Sequence, residues 1–596
     1  MNTVDEWPKL RPDRALRVAA LAKPIPPFDA HGLGPDGRLR RTGLELEMNP
    51  YCRRAVAAGI AVAHSGGGRC TVFSLGPPAA EAIVREALAF GADRGVLVSD
   101  PAFAGSDTLA TAWAMAAALK HFGPFDLVLA GLSSVDAETG QVGPEIAELL
   151  GYGFLAGVRE LAIDGARLRI RCEQDDGSLH ATARLPLLLS VAERLCAPCK
   201  APPEARAAVC EDRIVRITAG DLGAGPWGEV ASPTYVGEIR TQQHARRPQR
   251  LNGSPASQAR QAVATLVKRG VFDAIKTAPA ASVPNRRPIE GRAVAVLCEP
   301  ERPRLNRALC GEAARLAGEI QGHVRAFTTV ANDCETLGAW GADAVTLVRE
   351  TRLAEDFAGA AGAWAQAAQP WAVLAPGTAW GRETAGRIAA RTGSALTGDA
   401  IALAVADQRL IAWKPAFSGK LLAAIHARSP IQMATVRPGV LALPEARRPG
   451  AECDEIVAAP SAAIVIDKRE RGDELEALET ARIVIGVGLG VAPEHYPQLE
   501  TLRQYLGAEL AATRKVTDRG WLPRARQIGI TGRAIAPRLY LALGVSGRYT
   551  HAVGIANAHT VLAINSDANA PIFEVCDIGM VADWQDAVPA LLKELK

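Results

Sequence analysis

Residues 539–584 read LYLALGVSGRYTHAVGIANAHTVLAINSDANAPIFEVCDIGMVADW, and the fold of the chain is decided in this stretch. Leu539–Val545 is an apolar run, short and unbroken enough for a strand buried on both faces of a parallel sheet. Ser546-Gly547 ends the run, and Tyr549–Ala556 can begin a helix. A strand, a small-residue turn and a helix start together make an anion site. The turn lets backbone approach closely, and the free N–H groups and the helix dipole point at negative charge. A second strand is expected over Thr560–Asn565 and a third over Pro571–Val575. Asn565 and Asp583 then fall at or beyond strand ends, where open α/β sheets hold their ligands. On local pattern alone a tight turn with no ligand fits the same residues.

The order of residues narrows the choice. Ser546-Gly547, His551, Asn565, then APIF and Asp577-x-Gly579-x-x-x-Asp583 resemble the FAD-binding segment of the α subunit of electron transfer flavoproteins. Upstream, Thr513-Arg514 and QIGITG (Gln527–Gly532, which includes Gly529) resemble that family's flavin-contacting stretches, in the matching order.

Several domains are expected from 596 residues, because one core rarely extends past about 250–300 residues. The composition, 48% hydrophobic and 22% charged, is that of an ordinary globular protein. A net charge of +3 argues against a nucleic-acid binder driven by bulk charge. No apolar run approaches the roughly 18 residues needed to span a membrane. The start, MNTVDEWPKLRPDR, carries acids and no apolar core, so no secretory leader is expected. Eleven cysteines spread over this length suggest no disulfide framework, and a reducing cytoplasm is the simplest compartment.

From the N-terminus, strands are expected at Arg17–Ala22, Cys70–Leu75, Gly95–Ser99 and Phe125–Ala130. Helices are expected at about Pro50–His64, at Ala79–Phe90 and at Asp107–His121. This βαβ series with short turns predicts a parallel sheet with helices on its faces. After the fourth strand comes a polar loop with Asp136, Glu138 and Thr139. Gly140, Gln141, Gly143 and Pro144 follow and set up a helix. This is again a helix start at the carboxyl edge of a sheet, suited to phosphate, though spacing alone also permits a solvated loop. VAALAKPIPP, Asn49-Pro50-Tyr51, VFSLGP, GADRGVLV and VDAETGQVGP resemble the β subunit of electron transfer flavoproteins from about residue 15 to 275. The resemblance implies an adenine nucleotide at the Asp136–Gln141 loop: AMP, or a second FAD as in the family's electron-bifurcating branch.

Ser257–Phe272 has the spacing of an amphipathic helix, and Lys276–Arg292 is a Pro- and Ala-rich connector. The first half then repeats. Ala293–Cys298 answers Arg17–Ala22, Val324–Val330 answers Cys70–Leu75, and Trp371–Pro376 answers Asp126–Ala130. Gly341-Ala342-Asp343 stands 250 positions after Gly91-Ala92-Asp93. So long a period indicates two copies of one domain and not a solenoid. APGTAWGRETAGRIA, KPAFSGK and TVRPGVL resemble the α subunit. The last domain opens with ARIVIGVGLG, a strand and a glycine turn (Gly486, Gly488, Gly490) that lacks the further glycine of the dinucleotide fingerprint.

The fold class implied is α/β, with two Rossmann-like parallel-sheet domains and a C-terminal α/β FAD-binding domain. The β-subunit-like domain with its C-terminal arm would span 1–275, a linker 276–292, the α-subunit N-terminal domain 293–470 and the FAD-binding domain 471–596. By resemblance, His551 approaches the flavin carbonyl and Arg514 supplies a fixed positive charge beside the ring. Thr531 would donate toward the central ring nitrogen, Ser546 and Gly547 cradle the pyrophosphate, and Asn565 and Asp583 hold the adenosine half. By residue type alone, His551 also suits a satisfied polar group, Arg514 a surface ion pair and Thr531 a turn. Thr550, Ile530 and Leu489 stand where the family often has Gln, Gln and Arg, which implies weaker FAD retention or a shifted potential. Cys196-Ala197-Pro198-Cys199 could be a redox pair or half of a metal site, but no second half is evident and chance is the simplest account.

The resemblance implies an electron carrier without substrate turnover of its own. It would accept electrons from a flavin-dependent dehydrogenase and pass them to a quinone-linked oxidoreductase, as a monomer or homo-oligomer. Two alternatives are an NADH-oxidising bifurcating enzyme with FAD in both halves and a flavin-free nucleotide-binding regulator.

Overall fold

In Arg17–Leu21, Val18 and Ala20 enter one hydrophobic core and Ala19 and Leu21 another. The same alternation separates Val294 and Val296 from Ala295 and Leu297, and Leu539, Leu541 and Leu543 from Tyr540 and Ala542. A strand apolar on both sides must be covered on both sides, so each of the three large sheets carries helices on its two faces. The computed structural model describes residues 10–26, 45–175, 177–192, 194–241, 246–273, 282–416, 421–471, 477–478, 480–529 and 532–596.

The first sheet contains, in spatial order, Ile214–Ile217, Arg94–Val98, Arg69–Leu75, Arg17–Leu21, Leu127–Gly131, Leu187–Val191 and Gly153–Gly165. It continues through the antiparallel strands Arg167–Gln174 and Gly177–Ala183. The second sheet contains Glu452–Val457, Ala344–Arg349, His323–Thr328, Ala293–Leu297, Ala372–Pro376, Gln432–Val436 and Ala395–Ala400. The two orders agree strand for strand, so the repeat in the sequence is a repeat of topology. In both sheets the order reverses beside the first strand, between Arg17–Leu21 and Leu127–Gly131 and between Ala293–Leu297 and Ala372–Pro376. Crevices at such reversals, outside the carboxyl strand ends, are where doubly wound sheets bind ligands.

The third sheet runs Gln249–Leu251, Ile578–Val581, Thr560–Asn565, Leu539–Leu543, Ile483–Val487 and Glu509–Ala512, all parallel. The strand expected over Pro571–Val575 is instead one helical turn, Ile572–Val575, and the strand comes later. Pro571 has no N–H for a ladder. The Ile572 N–H donates to the Ser546 carbonyl at 3.0 Å, which draws the segment under the glycine turn. Gly547 has φ 73°, and a Cβ there would stand 2.2 Å from the Ile572 Cα.

The halves exchange strands. Ile464–Arg471, from the second half, pairs antiparallel with Gly177–Ala183 at the edge of the first sheet. Thr234–Thr241, from the first half, pairs antiparallel with Leu421–Ala427 in a four-stranded sheet otherwise built from the second half. Gln249–Leu251 and the helix Pro255–Lys268 lie on the third sheet, where Arg246 and Arg269 both bind the buried Asp577. Cys334 and Cys453 form a disulfide with a Cα–Cα distance of 6.3 Å. No described helix is long and apolar enough to cross a membrane.

Candidate functional site

Both reversal points open on one cavity of about 700 Å³. Ser133, Asp136 and Glu138 line it from the first half, Arg302 and Thr378 from the second, and Arg514 and Gly529 from the C-terminal domain. Three units thus converge on a space of the size that holds small molecules and cofactors.

On the first-half wall, the Lys23 ammonium donates to the Asp136 carboxylate at 2.8 and 3.0 Å and to the Ser134 hydroxyl at 2.9 Å. Burial opposes the Asp136 charge, but Lys23 outweighs it and the pKa lies below the usual range. Glu138, two residues on, sits at φ 53°, an uncommon conformation for its type. Burial, reinforced by nearby Asp399, pushes its pKa up to about 7. Its Oε1 is buried with no hydrogen-bond partner among the described residues, as are both amide atoms of fully buried Gln141. Thr139 and Gln141 lie against Gly398, where a Cβ would come within 2.8 Å of the Gln141 amide nitrogen. Loop atoms of this kind, buried and polar without partners, suit a polar ligand.

The second half closes this loop with residues that sequence reasoning missed. Lys414 is buried and donates to the Ala137 carbonyl at 2.7 Å; burial lowers its pKa. Asp399, at φ 60°, accepts from Arg437 at two atoms and faces Arg382 at 4.0 Å. Burial opposes the charge of Asp399, yet Arg437 holds its pKa below the usual range. KPAFSGK and TVRPGVL carried Lys414 and Arg437 as pieces of a pattern, but nothing in their spacing pointed at a loop almost 280 positions upstream, and Asp399 lies in neither piece.

In the C-terminal domain, Thr513 precedes the one-turn helix Arg514–Asp518, and the Arg514 Nε lies 3.4 Å from Asp518. Arg514 lines the cavity and also pairs with Asp518, the ion pair that its residue type allowed. Gly529 lines the cavity at φ 129°, and Thr531 lies outside the described residues. Ser546 and Asp583 follow, and Asn565 ends, parallel strands at one carboxyl edge of the third sheet. There Asn565 donates to the Val545 carbonyl at 3.0 Å, and Asp583 caps the last helix by accepting from Gln585 N–H at 2.8 Å. Exposed Ser546 and buried Gly547 form the turn at the same edge. His551 is buried, its Nε2 2.7 Å from the Tyr540 hydroxyl and its Nδ1 3.2 Å from the Ile528 carbonyl. Burial pulls its pKa down to about 4. The structure therefore brings Arg514, Gly529 and the Asp136–Gln141 loop to one cavity, whereas Ser546, Gly547, Asn565, Asp583 and His551 are not among its lining residues. His551 contacts the Ile528 carbonyl next to Gly529. Glycine turns and an arginine at a parallel-sheet edge fit a dinucleotide.

Burial raises the thiol pKa values of Cys196 and Cys199 to about 12, and Cys196 donates to the Arg54 carbonyl at 3.5 Å. Among the described residues no group of three or more His, Cys, Asp or Glu side chains could hold a metal ion.

This is the construction of a flavoprotein of the α/β nucleotide-binding class, and comparison with known proteins agrees. The electron transfer flavoprotein domain matches residues 36–216 and 303–463, and the electron transfer flavoprotein FAD-binding domain matches residues 477–556. The chain belongs to the electron transfer flavoprotein family and carries its FAD-binding domain. It is 33% identical over 304 residues to electron transfer flavoprotein subunit alpha of Thermoanaerobacterium thermosaccharolyticum, covering 48% of this chain and 92% of that protein. It is 35% identical over 267 residues to Protein FixB of Bradyrhizobium diazoefficiens, covering 42% of this chain and 72% of that protein. Protein FixB of Rhizobium meliloti is 35% identical over 306 residues, covering 48% of this chain and 86% of that protein.

Proposed function

We propose that this chain is a natural fusion of a β-like first half and an α-like second half, and that it carries electrons between a flavin-dependent dehydrogenase and a quinone-linked oxidoreductase. The units are 1–275, 276–292, 293–470 and 471–596, with strands crossing between them. The observation that carries this reading is the single cavity where both sheet reversals meet Arg514 and Gly529. FAD, when bound, supplies the redox chemistry. The protein's part is binding, orientation and charge. Arg514 keeps a positive charge at the cavity wall at any working pH. By the family resemblance, Ser546 and Gly547 cradle the pyrophosphate, Asn565 and Asp583 hold the adenosine half, and Thr531 donates its hydroxyl toward the central ring nitrogen, with Thr513 in a neighbouring flavin-contacting stretch.

The Asp136–Gln141 loop takes an adenine nucleotide. The partnerless polar atoms of Glu138 and Gln141 support a ligand there. AMP makes the protein a simple carrier; a second FAD makes it an NADH-oxidising bifurcating enzyme. An absorption spectrum of the purified protein with nucleotide analysis tests all of this. One FAD and one AMP per chain is expected. Two FAD with reduction by NADH supports bifurcation, and a colourless protein that takes up no FAD favours a nucleotide-binding regulator.

A further inference from the structure

Gly486 stands inside the strand Ile483–Val487, ahead of the glycine turn, and its lack of a side chain has a local cause. A Cβ there would lie 1.7 Å from the Tyr540 hydroxyl oxygen. The space admits a wholly buried phenol, and that phenol ends 2.7 Å from His551 Nε2. The other ring nitrogen, Nδ1, lies 3.2 Å from the Ile528 carbonyl. A carbonyl only accepts, so the ring proton sits on Nδ1; Nε2 is then bare and accepts from the Tyr540 O–H. Ile528 immediately precedes Gly529 of the cavity wall and donates its own N–H to the Ala512 carbonyl at 2.9 Å. Gly554, three residues after His551, packs so closely that a Cβ would stand 2.5 Å from the Gly529 nitrogen. Tyr540, His551 and Ile528 thus form a continuous hydrogen-bonded path from the centre of the third sheet to the cavity wall.

We propose that Tyr540 is a positioning residue for the cofactor cleft: its hydroxyl fixes the tautomer of His551, and through the Ile528 carbonyl the imidazole holds the Gln527–Gly529 turn in place. The proposal rests on the flavin reading of this cleft, but the fixing of the turn can be measured without flavin. Burial accounts for the imidazole staying neutral, and no charged side chain among the described residues contributes to its shift.

The test is Tyr540→Phe, which keeps the ring and removes the hydroxyl. Amide hydrogen exchange of the full chain, followed by mass spectrometry, should show faster exchange at Gln527–Gly529 with no change at Ile483–Val487. Titration of flavin-stripped protein with FAD should show binding weakened roughly fivefold to tenfold, the loss expected for one buried hydrogen bond. His551→Ala should reproduce both effects, and the double variant should add little, because the two groups act in series. Unchanged exchange at the turn overturns the proposal. So does faster exchange throughout the domain, which would make the hydroxyl merely structural, or full additivity of the two substitutions. If the wild type takes up no FAD, the flavin reading fails while the exchange measurement still decides the role of Tyr540.

Discussion

Arg514 and Glu138 show how single side chains set the charge of the cavity. Arg514 cannot shed its proton, and Asp518 at 3.4 Å offsets only part of its field because both side chains reach solvent. Arg514→Gln should lower the flavin midpoint potential, the loss of one nearby cation being on the order of 1 kcal/mol; spectroelectrochemical titration checks this. Glu138 titrates near 7 in the folded protein and at about 4.3 when unfolded. Between those values the folded state binds more protons than the unfolded state, so this residue's contribution to stability falls as pH rises and then levels off. Glu138→Gln should flatten the stability profile between about pH 4.5 and 7, as read from urea midpoints across that range. The polar loop at Asp136–Gln141 was legible because strand-end polar residues before a glycine-rich helix start have a local signature, whereas Arg514 and Gly529 were legible only through the family resemblance. Tyr540, Lys414 and Asp399 were not, because a buried aromatic residue or a strand-end acid looks like core or loop until its distant partner is known.

Among elements, the helices Val142–Leu150 and Ala379–Thr392 meet at the centre of the molecule, one from each half. Arg387, only 2% exposed, is ringed by Glu148 from the first helix, Glu355, and Glu383 from its own helix. Burial raises the Glu383 pKa to about 7, which shows how poorly this interior solvates charge. Arg387→Met should leave those carboxylates without their counter-charge and destabilise the protein by about 3–5 kcal/mol. Urea unfolding measures the effect, and Glu148→Gln, which leaves two carboxylates on the arginine, should cost less. The strands before both helices and the start of the first helix could be read from the chain because apolar runs and glycine signals are local, whereas Ala379–Thr392 entered only as part of a stretch resembling the α subunit. The strand expected over Pro571–Val575 was misplaced because its apolar run is short. Pro571 and the Ser546 carbonyl, a tertiary partner, made it a helical turn.

For the whole molecule, the reciprocal exchange of strands has a direct consequence. Ile464–Arg471 completes the first sheet, Thr234–Thr241 the four-stranded sheet, and Gln249–Leu251 the third. A chain cut within 276–292 should therefore stay together. Co-expressed halves with a tag on one should co-purify at equal stoichiometry, and either half alone should aggregate through the strand edge it can no longer cover. Separate folding of the two halves, seen as sharp independent melting transitions, would contradict this. Asp577 anchors the arm through Arg246 and Arg269, so Asp577→Ala should detach it and leave two arginines without their shared carboxylate. The expected cost is about 3–5 kcal/mol, and limited proteolysis should cut first between Arg246 and Lys268.

The sequence by itself determined the three α/β units, the internal repeat and the glycine turns at the sheet edges. Each is written in short-range periodicity and in residues whose backbone demands are local. Only the tertiary structure decided that both reversal points share one cavity, that the first half lends strands to the second, and that His551 turns inward to Tyr540. Each of those depends on groups far apart in the chain, and no local pattern encodes a partner that packing alone supplies.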